Sequence, residues 1–129
     1  MERITNKQLE QMLEAGEGRQ VVLFTSPTCG TCQLAKRMLA PIEKLYAGAS
    51  FLEVDINTAP VQARQLEIQS VPCLIVFDSG EEKERLYKMQ SGSYLLEQLH
   101  PYLKKDLTEN KEDSYAGPSV STQRNVERR

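Results

Sequence analysis

Three cysteines and a single histidine are the residues on which distinctive chemistry could be built. Cys29 and Cys32 stand two residues apart in Cys29-Gly30-Thr31-Cys32, Cys73 lies far downstream, and His100 is alone. Two thiols at that spacing can close a small disulfide ring or share a metal ion. An odd number of cysteines cannot all pair, so the pattern speaks for redox chemistry or metal binding rather than for a set of structural staples. A zinc knuckle needs a second pair of ligands, and only Cys73 and His100 are left to supply it. His100 falls between Leu99 and Pro101 in a helical pattern, a setting that suits a surface residue better than a ligand. The ligand inventory is short, no metal or cofactor is expected, and the reading that remains is a dithiol–disulfide couple.

For that couple to work, one sulfur has to be a thiolate, and the local pattern supplies the means. Val21-Val22-Leu23-Phe24-Thr25 is a short apolar run of the kind buried on both faces of a sheet. Ser26-Pro27-Thr28 turns the chain, and a helix is predicted from Cys29, with Leu34, Met38, Leu39, Ile42 and Leu45 inward and Pro41 bending it. Cys29 then sits at a helix N-terminus, where unpaired N–H groups and the positive dipole end favour an anion and lower a thiol's pKa. Cys32, nearly one turn further in, is placed to attack a mixed disulfide formed at Cys29. Gly30 allows close backbone approach, and Thr31 leaves the ring less rigid than a proline would.

The remaining elements follow from periodicity and punctuation. Ile4 closes a short first strand, and Thr5 or Asn6 caps a helix to about Ala15, with Gly16 and Gly18 beyond it. Ala49 to Asp55 reads as a strand, and Thr58 and Pro60 open a short helix through Val61, Ala63 and Leu66. Pro72 can only head the strand that runs to Phe77. Ser79-Gly80 marks a hairpin to a partner strand over Glu84 to Met89, and Ser93 caps a last helix with Leu95, Leu96, Leu99 and Leu103 inward. This order predicts an α/β domain over 1–104, with a mixed sheet of four to five strands and helices on both faces. From 105 to 129 apolar residues thin out, which predicts a disordered polar tail.

The formal net charge of −2 gives no reason to expect a nucleic-acid partner or an anionic membrane surface. Val21–Phe24 and Leu74–Phe77 are the longest apolar runs, far short of the roughly 18 residues of a membrane span. Met1 to Leu13 lacks the basic-then-apolar order of a secretory signal, so a cytoplasmic protein is expected.

With these residues in view the chain resembles the thioredoxin family. Val21–Thr25 leading into Cys29-Gly30-Thr31-Cys32, the Val54-Asp55 strand end, and Ser70-Val71-Pro72 opening a strand that ends at Ser79-Gly80 carry the likeness, over about residues 3 to 104. The resemblance implies a thioredoxin-like fold, with Pro72 as a cis proline packed against the cysteines. It also implies that the backbone of Val71 binds an extended substrate, with Thr28, Gly30 and Thr31 completing the surface. The departures matter as much. Thr28 replaces the family's usual tryptophan, Thr31 its proline, and Arg37 the proline five residues after the second cysteine. Leu23 replaces its buried acid, and Phe51 falls roughly where it keeps a lysine. Without the acid, resolution by Cys32 is expected to be slow or to use another base. Cys73 takes the place of a usual threonine. It is either a small buried hydrophobe or a candidate third redox thiol.

The function expected is thiol–disulfide exchange, run in the cytosol mainly as a disulfide reductase with Cys29 as nucleophile and Cys32 as resolving thiol. The substrate would be a protein disulfide or a low-molecular-weight thiol compound. The electrons would come from a reductase or a small thiol, and the resemblance implies a monomer. The alternative is a non-catalytic binding or redox-sensing module that uses the groove beside Val71-Pro72.

Overall fold

The computed structural model describes residues 1–108. It contains β1 (Glu2–Arg3), α1 (Asn6–Ala15), β2 (Arg19–Thr25), α2 (Gly30–Leu45), β3 (Ser50–Asp55), α3 (Pro60–Gln65), β4 (Cys73–Asp78), β5 (Glu81–Leu86) and α4 (Gly92–Leu103), with 3-10 turns at Ile56–Thr58 and Lys104–Asp106. The five strands form one sheet in the order β1-β3-β2-β4-β5. β1, β3 and β2 run parallel, while β4 and β5 are antiparallel to their neighbours. The mixed sheet expected from the sequence is therefore present with all five strands.

β2 is central because its side chains are apolar on both sides, and each parity builds its own core. Val21, Leu23, Phe51, Leu74 and Val76 pack under α2 and α4, against Leu39, Leu95, Leu99 and Leu103. Val22, Phe24, Leu52, Val54, Cys73 and Ile75 form the other core, with Leu9 of α1 and Ala59 ahead of α3. A one-residue slip of β2 would exchange the two sets, so the pairing Leu23 with Glu53 and Leu74 is strongly specified.

Several boundaries differ from expectation for identifiable reasons. The cap of α4 is Ser91, not Ser93: Ser91 is extended and its Oγ accepts the Tyr94 N–H at 3.0 Å. β5 begins at Glu81 rather than Glu84, because Ser79 and Gly80 both take positive φ (56° and 82°) and form a tight turn from which pairing starts at once. Leu34, expected inward, is 49% exposed. The sheet-facing stripe of α2 is Cys32, Ala35, Leu39 and Ile42, and Leu34 lies beside it at the end nearest the cysteines.

The described chain also continues past residue 104. Asp106 is buried and its carboxylate receives the Arg19 guanidinium through Nε and, at 3.0 Å, Nη2. Its backbone carbonyl accepts the Gly48 N–H at 3.0 Å, and a Cβ on residue 48 would come within 2.9 Å of its Oδ1. Arg19 and Gly48 thus tie the first residues of the expected tail to the domain. The rest of that tail, 109–129, lies outside the described residues.

Candidate active site

β2 ends at Thr25, the Cys29 N–H bonds to Ser26 O at 3.2 Å, and α2 starts at Gly30. Cys29 is the N-cap of α2, extended at φ −93° and ψ 104°, and its sulfur accepts the Cys32 N–H at 3.1 Å. The Thr31 hydroxyl lies 3.3 Å from the same sulfur. The sulfur therefore occupies the place that a serine or aspartate oxygen takes in an ordinary cap. A thiolate there gains a charge-assisted bond and the helix dipole, and both favour the ionised form. Cys29 and Cys32 are joined as a disulfide, their Cα atoms 5.3 Å apart. Cys29 is half-buried among exposed Thr28, Gly30 and Thr31, whereas Cys32 is fully buried. An outside molecule can reach one sulfur of the pair and not the other.

The Val71–Pro72 peptide is cis, and Pro72 lines a groove of about 200 Å³ with Thr31, Leu34, Met38, Tyr87 and Met89. Thr31 and Pro72, distant in sequence, thus share one surface. This is also why Leu34 is exposed. Cys73 follows Pro72 but points the other way, into the core between the sheet and α1. Burial pushes its thiol up to about 11, against the smaller pull of the Tyr87 hydroxyl and Arg85. With the protein reduced, iodoacetamide at about pH 8 should label Cys29 first and leave Cys73 unlabelled until the chain unfolds. Labelling of Cys73 at the rate of Cys29 would contradict this placement.

One buried charge on the α2 side of the sheet was missed in the sequence. Leu23 is indeed buried and uncharged, but the parallel register sets Glu53 of β3 directly beside it on the same face. Glu53 is 6% exposed, and it accepts hydrogen bonds from Thr25 Oγ1 at 2.8 Å and from Arg3 Nη2 at 3.0 Å. Lys36 Nζ stands 3.3 Å from its Oε2. Lys36 is four residues after Cys32, hence on the same side of α2. Burial alone would raise the Glu53 pKa. The hydrogen bonds from Thr25, Arg3 and Lys36, with the Lys36 charge, outweigh it and hold the carboxyl below its ordinary value. Glu53 is therefore ionised at neutral pH. The signal for it was an acid inside the apolar strand Phe51-Leu52-Glu53-Val54.

His100 lies at the far end of α4, where its Nδ1 is 2.6 Å from the Tyr46 hydroxyl. Among the described residues no three of His, Cys, Asp and Glu come together as a metal-ligand set. Nor is any described helix long and apolar enough to cross a membrane.

Comparison with known proteins agrees with this geometry. The chain matches the thioredoxin family over residues 1–105. It is 41% identical over 75 residues to the thioredoxin-like protein YusE of Bacillus subtilis, covering 58% of this chain and 70% of that one. It is 29% identical over 102 residues to thioredoxin of Staphylococcus aureus, covering 78% of this chain and 96% of that one. Among solved structures, the fold is similar to Fasciola hepatica thioredoxin (TM-score 0.69, 21% identity, 78% of this chain and 98% of that one). It is similar also to oxidised Plasmodium falciparum thioredoxin (TM-score 0.72, 18% identity, 80% and 98%).

Proposed function

This chain belongs to the thioredoxin family and is a thiol–disulfide oxidoreductase, and from that premise we propose that it works as a cytosolic disulfide reductase through Cys29 and Cys32. The observation that carries the reading is the asymmetry of the pair: a reachable sulfur capping α2 and a buried one a turn behind it. In the reduced protein the Cys29 thiolate attacks one sulfur of a substrate disulfide and expels the other as a thiolate, which takes a proton. Cys32 then gives up its proton and attacks the Cys29 sulfur, expelling the second substrate sulfur as a thiolate that takes up that proton and leaving the Cys29–Cys32 disulfide. Two electrons have passed to the substrate, and an outside dithiol or reductase must return them. Val71, Pro72, Thr28, Gly30 and Thr31 make up the surface on which an extended protein disulfide would lie, and Cys73 serves as core. No metal or cofactor takes part in these steps, and the domain acts as a monomer.

The redox equilibrium of the couple tests this directly. The protein is equilibrated in a dithiothreitol or glutathione series, quenched by alkylation and weighed. A reversible two-electron transition confined to Cys29 and Cys32, at a potential near that of the cytosolic glutathione pool or below it, is the expected result. Failure of the two to pair, or a disulfide to Cys73, would reject the reductase and favour a binding or sensing module.

A further inference from the structure

Between the end of α3 at Gln65 and the start of β4 at Cys73 the chain has no helix or strand, yet it delivers Pro72 to the groove wall beside Thr31. Such a segment must find partners for its own N–H and C=O groups. The N–H groups of Leu66, Glu67 and Ile68 bond back to carbonyls of α3, and Arg85 of β5 with Tyr87 just beyond it meet further groups of the segment. Arg85 donates through Nη2 to Leu66 O at 2.7 Å and through Nη1 to Glu67 O at 3.1 Å. The Tyr87 hydroxyl accepts the Gln69 N–H at 3.2 Å.

The rest of the guanidinium is engaged as well. Nε and Nη2 each meet the Glu82 carboxylate at 2.7 Å, and Nη1 meets the Tyr87 hydroxyl at 3.2 Å. A guanidinium has five N–H donors in a rigid plane, and each has a partner here, so its orientation is fixed. Glu67 has a φ of 56°, a left-handed conformation that disfavours a non-glycine residue. The two carbonyls that flank this conformation, those of Leu66 and Glu67, are the ones Arg85 holds. Tyr87, one residue beyond the end of β5, reaches the segment with its hydroxyl while also lining the groove with Pro72.

We propose that Arg85 and Tyr87 are positioning residues that, by gripping residues 66–69, set the Val71–Pro72 edge against which a protein disulfide lies as it meets Cys29. The proposal rests on the reading of Val71–Pro72 as the substrate edge. It makes a distinction the cysteines alone do not. A substrate that binds through its backbone needs the edge in place, whereas a small disulfide that only collides with Cys29 does not.

The test uses the full chain as wild type, Arg85→Ala, Arg85→Lys and Tyr87→Phe. Each is assayed for insulin reduction with dithiothreitol as donor, giving kcat and KM, and for the rate at which the reduced protein cleaves 5,5′-dithiobis(2-nitrobenzoate). Arg85→Ala is expected to raise the insulin KM by about tenfold, and Tyr87→Phe by about threefold, with kcat and the small-disulfide rate within about twofold of wild type. Arg85→Lys should behave like the alanine variant, since an ammonium keeps the charge and loses the planar fork. An unchanged KM in Tyr87→Phe overturns the proposal, even if Arg85→Ala fails to fold. So does an equal loss in both assays, which is the mark of a damaged fold. Cys29→Ser run alongside separates the two layers. If it still reduces insulin, the site reading itself is wrong, whereas a dead Cys29→Ser with unmoved KM in the β5 variants rejects only the clamp.

Discussion

Cys29→Ser is expected to lose disulfide reduction by about a thousandfold or more, to the level of uncatalysed exchange, and Cys32→Ser is expected to trap its substrate. The two outcomes differ because the two sulfurs stand in different places. Cys29 is reachable, caps α2 and receives the Cys32 N–H, so it is the sulfur that can carry negative charge and meet an outside disulfide. A serine hydroxyl at that position keeps the cap and loses the nucleophile, so the helix should survive while exchange does not. Cys32 is fully buried and can attack only a sulfur already attached to Cys29. With serine there, the mixed disulfide has no internal thiol to resolve it. Cys73 is no substitute, since it lies in the core on the opposite face of the sheet. Intact-mass analysis without reductant should show Cys32→Ser as an adduct of one substrate chain, and Cys29→Ser as unmodified protein. The reverse pattern, with the adduct on Cys29→Ser, would exchange the roles assigned to the two sulfurs. Full turnover in either variant would remove the couple from the mechanism altogether.

The cysteine pair, the buried strand before it and the helix after it were all legible in sequence, because each is a local pattern: an apolar run, a turn, a spacing. The five strands among the described residues follow from alternation and from Gly and Pro punctuation, and the sequence points to Ser93 as the cap in place of Ser91 because the apolar stripe that begins at Leu95 does not show where the backbone turns extended. What was not legible depends on register. Leu23 and Glu53 are adjacent only because β2 and β3 pair in parallel, and no local signal says which residue of β3 lies beside which of β2. The same holds for Arg19 and Asp106, and for Arg85 with the carbonyls of Leu66 and Glu67. Leu34 illustrates the converse. Helical period placed it near the buried stripe, yet at that end of α2 the surface is the groove, not a neighbouring element.

Glu53→Ala should destabilise the domain by about 2–3 kcal/mol at neutral pH, and Glu53→Gln should remove part of the protein's acid sensitivity. Three donors converge on this carboxylate from separate elements: Arg3 in β1, Thr25 at the end of β2 and Lys36 in α2. Breaking a fully buried pair costs about 3–5 kcal/mol. The figure here is lower because Arg3 is 57% and Lys36 28% exposed, so both cations can turn to water. The pH dependence follows from the direction of the shift. The folded carboxyl titrates below the ordinary value of 4.5, so as acid is added the unfolded chain takes up the proton first. The stabilisation is therefore fully present above the unfolded value and is lost as pH falls through the folded one. In urea titrations the wild-type midpoint should drop as pH falls from about 5 through the folded value below 4.5. Glu53→Gln should start lower at pH 7, fall less over that range and approach wild type at the acid end. A curve for the variant parallel to wild type throughout would mean that the carboxylate contributes nothing through its charge.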